Sequence, residues 1–244
     1  MKKAFKWFLF LTGALLALFV LIFGFGFWAA HETGKRLDIG YGASTSPRLV
    51  RLEIGDKVFA IPQNHIWSRE DWKGGRALGV NLQALLPDFE PYTEATQKDF
   101  EKPGWHQKIK MTLMARGVPG SLPASTGSMS RRENYTTNVA RGQAAREAPG
   151  PFGLDRQIFH PEPLGMRKGE EVYVTTSPGG RFYWATCRPD GAVKSPSCHS
   201  SIEYSPHTYV RYSFSKSLLS DWQAIDEGVL GLIRQFEIDA RQGG

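Results

Sequence analysis

Cysteine is nearly absent from this chain, with two in 244 residues, and histidine is sparse at six. The sequence holds no CxxC pair, no HExxH, no GxSxG and no glycine-rich phosphate loop, so it carries none of the local signatures of dithiol redox, zinc protease, serine hydrolase or nucleotide chemistry. The histidines are dispersed: His160 lies near Glu162, and His199 lies near His207. A zinc site needs three or four convergent ligands, and no spacing here foretells one. No metal or cofactor is expected.

A concentrated positive field is also missing. The formal net charge is +6, but Lys2, Lys3 and Lys6 stand in the first six residues. A second excess sits in Arg116–Gly150, where Arg116, Arg131, Arg132, Arg141 and Arg146 outnumber Glu133 and Glu147. The remainder is close to neutral, which excludes a basic nucleic-acid-binding face. Arg131, Arg132, Arg141 and Arg146 are the candidate contacts to a protein partner or to anionic lipid.

Long apolar runs are lacking except for one, Trp7–Ala30, which is free of charge over its whole length. A bilayer core about 30 Å thick needs roughly 20 apolar helical residues, so this run is long enough to span. The competing reading is a cleaved signal peptide. That requires a shorter apolar core and small residues at the exit, whereas Phe27 and Trp28 stand where small residues are needed. The three lysines ahead of the run place residues 1–6 in the cytoplasm by the positive-inside rule. Residues 7–30 are then a single-pass signal anchor in a bacterial inner membrane, and the rest of the chain is periplasmic. In that oxidising compartment Cys187 and Cys198, with Pro189-Asp190-Gly191 and Ser195-Pro196-Ser197 able to turn the chain between them, are expected to form a disulfide.

Residues 31–47, rich in Gly, Ser and Thr, read as a flexible tether reaching roughly 20–25 Å. A single domain is expected over 48–240. Leu49–Ile54 and Lys57–Ile61 around Gly55-Asp56 give a hairpin signal. Arg76–Leu86 and Lys108–Leu113 alternate as half-buried strands, and a short helix fits around Glu94–Phe100. Residues 116–150 lose hydrophobic pattern and read as a mobile basic insert. Glu171–Thr176 and Arg181–Cys187 flank a type II turn signal at Ser177–Gly180, and Ser200–Tyr204 and Thr208–Phe214 add two strands. From Lys216 to Ala240, Leu218, Trp222, Ile225, Val229, Leu232 and Phe236 recur at spacings of three and four, the stripe of a helix that covers a core. The expected fold class is α+β, a mainly antiparallel sheet with the C-terminal amphipathic helix packed on it.

Ser213-Phe214-Ser215-Lys216 matches the SxxK pattern of penicillin-recognising serine enzymes. That chemistry needs the serine at a helix start, whereas Ser213 ends a strand and the companion motifs are absent. Ser215 or Ser217 as a helix N-cap is the preferred reading. Carboxylate pairs such as Asp88 with Glu90 and Glu170 with Glu171 carry no glycosidase signature.

Phe59-Ala60-Ile61-Pro62-Gln63-Asn64-His65-Ile66, Gly75-Arg76 and Leu86-Pro87-Asp88-Phe89 resemble stretches of a loose group of uncharacterised bacterial proteins. The ending Cys187 … Cys198 … Tyr212-Ser213-Phe214 … Leu218–Trp222 resembles that group too. It implies one N-terminal membrane helix and a periplasmic domain, with no activity. The reading that results is a non-enzymatic, membrane-anchored periplasmic binding protein, either an accessory subunit of an envelope complex or an immunity-type protein. The alternative is an envelope hydrolase whose active site has no signature.

Overall fold

A computed structural model describes residues 42–116, 130–160, 162–163, 166, 169–176 and 180–242, together with Gly13, Phe19, Phe23, Gly24 and Gly26. The chain divides into two units, Met1–Gly42 and Ala43–Gly244. In the first, the described positions from Gly13 to Gly26 are helical, and the exposed rings of Phe19 and Phe23 lie 4.2 Å apart. Among the described residues no helix is long and apolar enough to cross a membrane. The expected tail 1–6, and all but those few positions of the anchor 7–30, lie outside them.

The second unit opens with the anticipated hairpin, β1 (Leu49–Ile54) and β2 (Lys57–Pro62), paired from Leu49↔Pro62 to Ile54↔Lys57. Gly55 turns it with φ 63°, and a Cβ at Gly55 would collide with the His207 carbonyl, so glycine serves both the turn and the close approach. Asp56 beside it accepts hydrogen bonds from Ser205 (2.5 Å) and Thr208 (3.0 Å). The short β3 (Gly75–Arg76) adds to β1 in parallel. The domain starts earlier than residue 48: Gln63 and Asn64 donate backbone hydrogen bonds to the carbonyls of Arg48 and Ser46, and Gln63 also reaches the Ser44 hydroxyl. The end of the expected tether is therefore held on the domain through Ser44 and Ser46, because the buried polar turn at Gln63–His65 needs partners.

The main sheet is antiparallel and eight-stranded. Its strands are β4 (Gly79–Leu85), β5 (Lys108–Ala115), β6 (Arg146–Pro149), β7 (Asp155–Ile158), β8 (Glu171–Thr176), β9 (Phe182–Cys187), β10 (Ser197–Ser205) and β11 (Thr208–Ser215), in the order β4-β5-β11-β10-β9-β8-β7-β6. Strict alternation buries Val80, Leu82 and Ala84 of β4 and Ile109, Met111 and Leu113 of β5 on one face. A small helix α1 (Gln97–Glu101) precedes β5. The C-terminal helix begins as a tight 3₁₀ segment, Lys216–Asp221, and continues as α3 (Trp222–Gln242), with the helix α2 described below. Trp222, Ile225, Val229, Ile233 and Phe236 of α3 join the inner faces of both sheets in one core, each such side chain contributing about 1.5–3 kcal/mol. Ser215 takes the N-cap position, one of the two expected, but makes no side-chain cap bond; its hydroxyl lies 2.9 Å from that of Ser217 instead.

Glu237 on α3 ties the helix to β2 by an ion pair with Lys57 (3.2 Å) and to β10 by a hydrogen bond from Tyr204, and it also pairs with Arg241 (2.5 Å) one turn along its own helix. Burial would raise its pKa, but the hydrogen bonds from Tyr204, Arg241 and Lys57 outweigh that and hold it at about 2. A carboxyl depressed in the folded state contributes stability above its unfolded pKa and loses it as pH falls through the folded one. Glu237→Gln should therefore lower the melting temperature at pH 7, with the gap to the parent closing between about pH 4.5 and pH 2. A gap that stays constant over this range would show that the carboxylate's charge is not the stabilising feature.

The mobile-insert expectation is corrected over its second half. Residues 117–129 lie outside the described ones, but Arg131–Asn134 form a helix, α2, that widens into a π turn over Tyr135–Val139, and Arg146–Pro149 form β6. Val139, Ala140 and the partly buried Tyr135 pack on Phe159, Val172, Val174 and Trp184, making a second, smaller core on the outer face of β8 and β9. The turn expected at Ser177–Gly180 lies outside the described residues except for Gly180, which has φ 75°.

Candidate functional site

Beyond β9 the outer face of the main sheet is left open by the described elements. Register puts Gln83, Lys110, Ser213, His199 and Thr186 side by side across five strands, and Asn81, Thr112, Arg211 and Ser201 in the next row. Apart from Ser201, these residues are half-buried or exposed, unlike the residues between them that point into the core. Lys110 lies 4.0 Å from the Trp67 ring centre and 5.7 Å from that of Trp105, so two indoles wall one end of the face and hold an ammonium between them. Burial lowers the Lys110 pKa. The His199 ring is held by Ser213, whose hydroxyl is 2.7 Å from Nδ1.

At the other end of this face the π turn rises beside β9 and forms a groove of about 230 Å³ lined by Arg141, Trp184, His199 and Arg211 among others. A second hollow, about 430 Å³, lies between Leu86-Pro87 and the start of the C-terminal helix and is lined mainly by Leu218, Ala224 and Ile225. Among the described residues no group of three or more His, Cys, Asp or Glu could hold a metal ion.

The four arginines singled out from the sequence are not a common patch. Arg131 is corrected outright: its side chain is 7% exposed and lies 2.8 Å from Asp226, which is 1% exposed on α3. It also donates to Ser200 (2.7 Å) and stands 5.0 Å from the Tyr183 ring centre. β9 and β10 pair only at Cys198↔Cys187 and His199↔Thr186, and α2 touches both strands beyond that point, so Arg131 enters the core where the sheet parts. Burial opposes its charge, but Tyr212 and Asp226 more than compensate and raise its pKa. Arg132 is exposed, with its guanidinium 4.2 Å from the Phe182 ring centre. Arg146 is exposed on the edge strand β6. Arg141 alone lies on the groove, with a left-handed backbone at φ 54°.

Sequence reading missed Asp226, because it sits within the apolar stripe of a helix, and missed Arg211 and His199, which alternation alone does not distinguish from any outward strand residue. The SxxK reading falls away on geometry. Ser213 bonds His199, while Lys216 pairs with Glu171 (2.6 Å) and Asp190 (2.9 Å), so the two side chains serve different partners. Cys187 and Cys198 form a disulfide joining β9 to β10.

What these elements define is an α+β domain that presents a broad, polar sheet face edged by aromatic side chains. No protein-family model matches the chain, and no curated protein is similar to it in sequence. Among solved structures, an immunity protein of the Stenotrophomonas maltophilia type IV secretion system superposes with a TM-score of 0.51 at 16% identity, over 78% of this chain and 94% of that one. At this identity the likeness shows a common fold.

Proposed function

We propose that this chain is a non-enzymatic immunity-type protein that binds and neutralises a protein toxin, held on the inner membrane by residues 7–30 with its domain in the periplasm. The observation that carries the reading is the fold shared with an immunity protein over 94% of that protein's length. Blocking a toxin requires a stable scaffold and an exposed surface rather than reacting groups, and the open face of β4, β5, β11 and β10 offers such a surface. The uncharged run Trp7–Ala30 and the lysines before it support the anchor and its orientation. The disulfide agrees with export to an oxidising compartment.

The test is competition between a strain of the source bacterium lacking this gene and its parent, on a surface that forces cell contact. The deletion strain should lose viability beside the parent, and expression of the full chain in trans should restore it. Removal of residues 1–30 should abolish rescue if toxin and domain must meet in the periplasm. Equal survival of deletion strain and parent would overturn the immunity reading.

A further inference from the structure

The groove between the π turn and β9–β11 brings together two exposed arginines and a buried indole N–H that have no acceptor among the described residues. Elsewhere in the domain most of the arginines that are not fully exposed are matched: Arg131 with Asp226, Arg116 with Glu203, and Arg181 with Asp226 and Glu227. Arg141 and Arg211, which line the groove, are exposed and have no ion-pair or hydrogen-bond partner among the described residues. Trp184 lines it as well, and its indole N–H is buried without an acceptor, in a side chain only 8% exposed. Ser201, the cross-strand neighbour of Arg211, keeps a buried hydroxyl that also lacks a partner. A buried donor without an acceptor is costly in a native domain, and such cost persists at sites that another molecule completes.

Glu170 is the one carboxylate lining this groove; it has a partner of its own and forms no ion pair with Arg141 or Arg211. His199, held by Ser213, gives the groove a fixed polar floor. Two guanidinium groups and an indole N–H on one groove suit an anion that accepts several hydrogen bonds at once, and a carboxylate does so through its two oxygens.

We propose that this groove binds a carboxylate side chain, aspartate or glutamate, presented by a protein partner, with Arg141 and Arg211 as the clamp and the Trp184 indole as the third donor. This rests on the binding-protein reading above and gives the partner's surface its chemistry: an acidic residue at the centre of the contact. Approach of such a surface is favoured by the charges of Arg141 and Arg211 and weakened by salt.

The experiment uses the full chain in detergent micelles with ¹⁵N-labelled tryptophan, the Trp184 indole signal being assigned with Trp184→Phe. The probe is a capped peptide of alternating aspartate and glutamate, compared with its asparagine–glutamine counterpart. The acidic peptide should shift the Trp184 signal saturably and lose affinity as salt is raised, while the neutral peptide leaves it in place. Arg141→Glu/Arg211→Glu should weaken that binding by about a hundredfold with an unchanged melting temperature, and should abolish rescue in the competition assay. An equal shift by both peptides, or no shift of Trp184, overturns the carboxylate site. If rescue is real and the double variant rescues fully, the groove is not the contact although the immunity reading stands. If the deletion strain survives while the acidic peptide binds, the immunity reading falls and the groove assignment remains.

Discussion

Asp226→Ala should lower the melting temperature of the domain by on the order of 10 °C, the largest loss expected from any single side chain here. Asp226 is 1% exposed and accepts from Arg131 at 2.8 Å, from Tyr212 at 2.5 Å and from Arg181 at 3.2 Å. Removing one partner of a buried pair leaves a charge that neither water nor protein compensates, at a cost of about 3–5 kcal/mol. For a domain of this size each kcal/mol corresponds to roughly 2–4 °C. Arg181 can turn toward Glu227, 3.8 Å away at the surface, but Arg131 has no such outlet. The double variant Arg131→Met/Asp226→Leu should recover most of the loss, since an apolar pair of similar volume avoids the desolvation cost. Recovery should be incomplete, because the Tyr212 and Ser200 hydroxyls lose partners in the core. A loss below about 1 kcal/mol for Asp226→Ala, or additive losses in the double variant, would show that the pair is not the internal tie between α2 and α3.

The strands and the long helix were legible because their signals are local. Alternation in Lys108–Leu113 and the three-and-four spacing from Leu218 to Phe236 report which face is buried, and the structure buries those faces. Residues 130–150, the described part of the expected 116–150 insert beyond Arg116, misled because an element only a few residues long cannot display a period. Val139 and Ala140 are the only fully buried apolar residues of the π turn and its exit, and two residues do not make a stripe. One signal was present: Ser130 and Glu133 satisfy the capping-box pattern, and both reciprocal bonds form.

The candidate site was less legible than the fold. A sequence gives no reason to set Arg141 apart from Arg131, because what separates them is where the sheet opens. Arg131 meets a gap between β9 and β10 and becomes a core residue, while Arg141 follows the π turn back to the rim. Pairing Arg141 with Arg211 requires knowing that β11 lies next to β10 and that residues 138–141 cross above them. The motif around Gln63–His65 is built into the fold. Gln63 bridges Arg48 and Ser44, and His65, whose pKa burial lowers, donates from Nδ1 to the Gln83 carbonyl at 3.0 Å. Buried polar turns of this kind hold a conformation and need not bind anything.

Replacing both cysteines, Cys187→Ala/Cys198→Ala, should cost about 3 kcal/mol in the chain-entropy description for a loop of this length, and the loss should be concentrated at one seam. The bridge crosses from β9 to β10 at one of only two residue pairs that join these strands. It therefore ties the half-sheet β4-β5-β11-β10 to the half-sheet β9-β8-β7-β6. Past Thr186 and His199 the seam depends on the Ser200 hydroxyl donating to the Trp184 carbonyl and on Arg131 reaching Ser200 and Asp226. Hydrogen exchange in the variant should therefore speed up more at Thr186, His199 and Ser200 than in β4 or β5, which remain inside a continuous ladder. Bridge and buried ion pair close the same gap, so their losses should not add: with the cysteines replaced, Asp226→Ala should cost more than it does in the parent. Uniform acceleration across all strands, or strict additivity, would reduce the disulfide to a clamp on its own short loop and leave the two half-sheets joined by something else.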